Sequence, residues 1–138
     1  KPVILAANHP TAFIEPCILA CWVPKPLHFM VRGDLFLKPL SNWVLRDFNM
    51  IPMFRIGDAG VAGVKANYRS VEEASQVLHT HHPVLILAEG STAHEKRLRP
   101  LQKGTARIAL GTEDQRPDLG IQLVPVGVNY TYADRFRS

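Results

Sequence analysis

The feature that most constrains this chain is the run Val84-Leu85-Ile86-Leu87-Ala88, five apolar residues without a polar break. A strand with one wet face alternates apolar and polar residues, so an unbroken run reads as a central strand covered on both faces. Such a strand needs a layer of helix on each side, and the sequence supplies the material. Strand-like segments at residues 3 to 7, 27 to 31, 49 to 55 and 121 to 128 are interleaved with helical ones at 16 to 21, 40 to 48, 66 to 82 and 104 to 110. That alternation predicts an α/β fold: a single domain with a mostly parallel central sheet flanked by helices. The 138 residues suffice for one core of that kind.

Local signals refine the expectation. Pro16 suits the first turn of a helix, leaving Glu15 as its cap. Apolar residues at 40, 43, 44, 45 and 48 have helical spacing, as do Val71, Ala74, Val77 and Leu78. The Gly-rich stretch 56 to 63 reads as a mobile connection, and Pro52 assigns the third strand to a sheet edge. Cys17 and Cys21, four apart on the first helix, suit a disulfide poorly and read as two buried, reduced thiols. His79, His81 and His82 cluster at a helix end, where they suit the helix C-terminus better than a metal.

Composition, with 46% hydrophobic and 20% charged residues, is that of an ordinary globular domain, and no apolar run reaches a membrane span. The chain opens on a core strand without a starting Met, so it is expected to be a fragment of a longer protein whose other segments include any membrane anchor. The net charge of +4 is local in origin. Residues 94 to 107 hold Lys96, Arg97, Arg99, Lys103 and Arg107 against Glu95 alone, a cluster that suits phosphate groups or is simply a solvated basic face. Aromatic residues are not interleaved with those cations, which argues against single-stranded nucleic acid as a partner.

Chemistry concentrates where the first strand ends. His9 is followed six positions later by Glu15. A neutral imidazole can accept a proton from an attacking hydroxyl when a carboxylate fixes its tautomer and stabilises the imidazolium that forms. Six residues along a continuous helix would set the two about 240° of arc apart. The prolines at 10 and 16 favour a loop up to about residue 14 instead, which can bring the carboxylate back to the ring; the plainer reading is a helix cap and a loop histidine. Glu89-Gly90-Ser91-Thr92 follows the central run, and a carboxylate at the end of a buried strand is costly unless paired. Arg55 ends another strand. The chain has no Gly-x-Ser-x-Gly elbow, Walker-type phosphate loop, dinucleotide fingerprint or His-Glu-x-x-His helix.

Four segments occur in order: His9 with its following acid, Met50-Ile51-Pro52-Met53-Phe54-Arg55, Leu87-Ala88-Glu89-Gly90-Ser91-Thr92, and Leu123-Val124-Pro125-Val126. Together they resemble the four motifs of the glycerolipid acyltransferase family, the glycerol-phosphate and lysophosphatidate acyltransferases of phospholipid synthesis, over nearly the whole chain. The resemblance implies a glycerol-phosphate acyltransferase-like domain over residues 1–138. It also assigns roles. His9 matches the catalytic base and Glu15 stands near its acidic partner. Arg55 matches the arginine that holds the acceptor's phosphate. Glu89 and Gly90, with Ser91 beside them, match the acceptor-binding motif, and Pro125 matches the proline of the fourth. The family has four residues between His and Asp; here five precede an acid, and it is Glu. Ala88 stands where Pro is usual and Thr92 where Arg is usual. The displaced positive charge is then expected from Lys96, Arg97, Arg99 or Lys103, with Lys103 preferred because Lys103-Gly104 opens a helix whose amides favour phosphate.

The implied activity is transfer of a fatty acyl group from acyl-CoA or acyl-carrier protein, as co-substrate, to a hydroxyl of a glycerol-phosphate or lysophospholipid acceptor, with no metal and no resident cofactor. A membrane surface is an expected partner, and the expected location is the cytoplasmic side of a membrane. The alternative is an inactive relative that binds lipid or acyl-carrier protein without reaction, suggested by the shifted Glu15 and by Thr92.

Overall fold

The computed structural model describes residues 1–10, 14–54, 56–91 and 97–130, with the backbone only at 56–62 and 64. Five strands form one parallel sheet: β1 (Val3–Ala7), β2 (His28–Arg32), β3 (Met50–Met53), β4 (Val84–Leu87) and β5 (Gln122–Val126), in the spatial order β3-β2-β4-β1-β5. The helices α1 (Ile14–Trp22), α2 (Pro39–Asp47), α3 (Ile56–His79) and α4 (Gly104–Gln115) connect them, with a 3₁₀ turn at Gly33–Phe36. The apolar run at 84 to 88 is β4, the middle strand. Its residues face both ways. Val84 and Ile86 join Ile4, Met30, Ile51, Ala74, Leu78 and Ile108 in one core cluster, while Leu85 joins Ala7 and Leu27 in a second, with Leu19 of α1 and Val23 just after that helix packed on it. Alternation along β1 and β4 sets these clusters on opposite faces of the sheet.

Both prolines within strands sit where a missing N–H does least harm: Pro52 on β3 and Pro125 on β5, the two edges. Several expectations need correction. The stretch 56 to 63 is the start of α3, because a helix already held by packing further on tolerates glycines at about 1 kcal/mol each. That helix ends at His79, where His81 takes a left-handed conformation (φ 59°). The His81 and His82 amides donate to the carbonyls of Leu78 and Val77, a Schellman closure built without glycine. Glu15 does not cap α1; it is the second residue within it.

The thiols of Cys17 and Cys21 are free and exposed, because α1 turns Glu15, Pro16 and Leu19 inward and its other stripe outward. The apolar spacing in α2 likewise misleads. No residue of α2 is buried, Leu40 and Trp43 are 73% and 68% exposed, and Trp22 at the end of α1 is 83% exposed. One face of the sheet thus carries a closed core under α3 and α4. Away from it, α1 and α2 present apolar side chains to the outside.

Candidate active site

The carboxyl ends of β1 and β4 lie side by side, since Ala7 pairs with Leu87, and the loops leaving them build the site. Ala88 continues the ladder by donating its amide to the Ala7 carbonyl at 2.8 Å. On the β1 side, Asn8 turns its side chain onto the segment after β5. Its Nδ2 donates to the Val128 carbonyl (2.9 Å) and its Oδ1 accepts from the Val128 amide (2.6 Å). A side-chain amide here substitutes for one more rung of parallel sheet and fixes the backbone immediately before His9.

His9 and Glu15 meet. The Nδ1 of His9 lies 3.7 Å from Oε2 of Glu15, with Glu15 wholly buried and the imidazole nearly so. The contact exists because α1 begins at Ile14, so that the carboxylate projects from the first helical turn, where unpaired amides and the helix dipole favour an anion. Burial pushes the His9 pKa below the usual histidine value. The carboxylates of Glu15 and Glu89 pull it back up, and Arg99 adds to the lowering. The ring is therefore neutral at neutral pH, the state a base requires.

Glu89 is the second buried carboxylate, and it is held from two sides. Its Oε1 accepts from the backbone amide of His9 (3.2 Å), and its Oε2 accepts from Nε of Arg99 (2.8 Å). Arg99 also donates from Nη1 to the Ser91 hydroxyl (2.8 Å) and from Nη2 to the Ser91 carbonyl. One guanidinium thus fastens the Glu89-Gly90-Ser91 turn, while Glu89 fastens the His9 loop to β4. Gly90 sits at φ 70°, and a Cβ there would come within 2.8 Å of the Gln102 side chain, so the turn requires glycine. The Gln102 amide donates to the Ala88 carbonyl at 2.7 Å, which lays the segment after residue 96 back against the end of β4.

Of the residues named from sequence, the structure brings His9, Glu15, Glu89, Gly90 and Ser91 to one place. Lys103 lies at the N-terminal boundary of α4, exposed and with no side-chain capping bond; among the described residues it is Arg99 that reaches Glu89. Arg55, Thr92 and Lys96 lie outside the described residues. The neighbour of Arg55 is positioned: Phe54 donates its amide to Oδ1 of Asn67 (2.7 Å) and accepts from Nδ2 at its carbonyl (2.5 Å). Asn8 and Asn67 were not singled out from sequence. Their signal, an Asn beside a motif and an Asn inside a helix, is common to many solvent-facing amides. Among the described residues no group of three or more His, Cys, Asp or Glu is placed to hold a metal ion.

The geometry defines a class: a parallel α/β domain with a buried His/acid pair beyond one strand and a Glu-Gly turn beyond its neighbour. Known proteins with related sequences identify the family. The family model described as Acyltransferase matches residues 1–129, and the chain belongs to that family. It is 42% identical to glycerol-3-phosphate O-acyltransferase 1 of Saccharomyces cerevisiae over 141 aligned residues, 95% of this chain and 18% of that protein. Identity to glycerol-3-phosphate O-acyltransferase 2 of the same yeast is 32% over 72 residues, 52% of this chain and 10% of that protein. An uncharacterized acyltransferase of Schizosaccharomyces pombe is 42% identical over 55 residues, 40% of this chain and 8% of that protein. The chain thus spans less than a fifth of the length of each of these relatives. No solved structure matches it.

Proposed function

We propose that the chain transfers a fatty acyl group from an acyl thioester, acyl-CoA or acyl-carrier protein, to a hydroxyl of a glycerol-phosphate or lysophospholipid acceptor, with His9 as general base. The observation that carries this reading is the 3.7 Å approach of a neutral, buried His9 to the buried Glu15 at the carboxyl end of β1. With Nδ1 turned toward Glu15, Nε2 is the nitrogen that takes the proton from the acceptor hydroxyl. The resulting alkoxide attacks the thioester carbonyl, the carbon–sulfur bond breaks, and the proton held on His9 returns to the departing thiolate. Glu15 stabilises the imidazolium formed between those steps.

Glu89, Gly90 and Ser91 act on the acceptor side in this reading, as a turn whose shape is set by Arg99. Arg55 and Lys103 supply positive charge for the acceptor's phosphate. The exposed apolar side chains of α1 and α2 support contact with a membrane surface, where such an acceptor resides, on its cytoplasmic side. The test is release of free thiol from an acyl thioester, with and without glycerol phosphate or a lysophospholipid. Acceptor-dependent release with formation of the ester is expected. Thiol release that ignores the acceptor would mark a thioesterase, and no release with either donor would mark a binding domain.

A further inference from the structure

Addition of the acceptor alkoxide to a thioester carbonyl moves the carbonyl π pair onto oxygen. That oxyanion is stabilised by a hydrogen-bond donor already in place. Around His9 many donors are spent on holding the site's own loops. The amides of His9, Ala88 and Gly90 go to Glu89, Ala7 and Leu87. Asn8 and Val128 satisfy each other, and the Arg99 guanidinium goes to Glu89 and Ser91. The Tyr130 hydroxyl has no such commitment. It is buried without a hydrogen-bond partner among the described residues, although the residue as a whole is only half-buried. A tyrosine usually covers its ring and leads its hydroxyl to water or to a partner. Here the polar end is the covered one, and a buried bond left unmade costs stability that a ligand group can restore.

The backbone carries Tyr130 to the same end of the sheet as His9. Strand β5 runs parallel to β1 with Val126 beside Ala7, and both backbone groups of Val128 bond the side chain of Asn8, the residue before His9. Tyr130 follows two residues later, no more than about 7 Å of chain from that clamp. Thr105 also has a buried hydroxyl without a partner among the described residues. It sits in the first turn of α4 with only 8% of the residue exposed, so a substrate does not reach it.

We infer that Tyr130 is a further catalytic residue, whose hydroxyl donates a hydrogen bond to the thioester carbonyl oxygen as it becomes an oxyanion; this rests on the acyl-transfer reading above. The hydroxyl keeps its hydrogen throughout. The oxyanion collapses to the ester carbonyl as the carbon–sulfur bond breaks, and the departing thiolate takes the proton held on His9. The test is Tyr130→Phe in the full-length protein, which keeps the ring and removes only the hydroxyl, assayed with an acyl thioester and glycerol phosphate. The saturating rate is expected to fall about 10²-fold or more. KM for either substrate is expected to stay within about twofold, because the bond strengthens on the oxyanion rather than in the ground state. The acid limb of the rate stays in place, since His9 is untouched, and the unfolding midpoint stays or rises, since an unmade buried bond is removed. A saturating rate within about twofold of the wild type would overturn the proposal. So would a raised KM for glycerol phosphate at an unchanged rate, which marks acceptor binding, or a lower midpoint, which marks a hydroxyl already partnered. Wild-type protein that forms no ester contradicts acyl transfer itself, whereas turnover that survives in Tyr130→Phe contradicts only the role of Tyr130.

Discussion

At the scale of single residues, the site depends on how two buried carboxylates are neutralised. Glu89 is satisfied by a guanidinium and a backbone amide, so it serves as a fixed anchor. Glu15 faces a titratable ring, so its charge is felt where a proton moves. The consequence for pH has a definite sign. Burial lowers the His9 pKa and Glu15 raises it, so Glu15→Gln removes an upward pull. The acid limb of the transfer rate is then expected to move to lower pH in Glu15→Gln, while the plateau rate falls because the imidazolium loses its partner. A limb that moves to higher pH would show that the carboxylate does not act on the ring. The same shift bears on stability: with the folded-state pKa lowered, the unfolded chain binds more protons below the ordinary histidine pKa. Stability is therefore lost as pH falls through that window toward the folded value.

His9 and Glu15 were legible as a pair because proline placement excluded a continuous helix between them. Arg99 was legible only as one of several cations. Its selection depends on the segment after residue 96 folding back onto β4 through Gln102, a long-range contact with no local signal.

Among elements, β-strands were the more readable because an unbroken or β-rich apolar run needs no partner to be recognised. Residues 3 to 7 and 84 to 87 were placed to within a residue, and the edge position of Pro52 follows from its missing donor. Helical faces were less readable. Spacing in α2 identifies a helix but not what it packs against, and α2 buries nothing. Polar residues inside α3 and α4 hide a specific joint. The hydroxyl of Thr112 donates to the Ile108 carbonyl (2.7 Å), so Ser75 donates to Thr112 (2.7 Å), with both residues fully buried. Thr112→Val keeps the shape and leaves the Ser75 hydroxyl without its acceptor. A loss of about 1–2 kcal/mol in denaturant unfolding is expected, with the m-value unchanged. A neutral result would mean that Ser75 finds another acceptor between the helices.

For the whole molecule, the two sides of the sheet differ in finish. The α3/α4 side closes a core, whereas Trp22 of α1, Leu40 and Trp43 of α2, and Leu37 in the segment just before α2 are exposed. Tryptophan and leucine on an outward helical surface suit the boundary between lipid headgroups and chains, which is where a lysophospholipid acceptor would be met. Replacing Leu40 and Trp43 together by Ser is expected to reduce co-sedimentation with phospholipid vesicles about tenfold or more while leaving the unfolding midpoint nearly unchanged. Unaltered vesicle binding would assign this surface to another role.

The central claim, that His9 is the base of an acyl transfer, is tested most directly by the rate of ester formation in His9→Ala at saturating acyl thioester and glycerol phosphate. Circular dichroism and the unfolding midpoint serve as the control for folding. The expected result is a rate lower by at least about 10²-fold in a protein that folds normally. Turnover at the wild-type rate in the folded variant would contradict it.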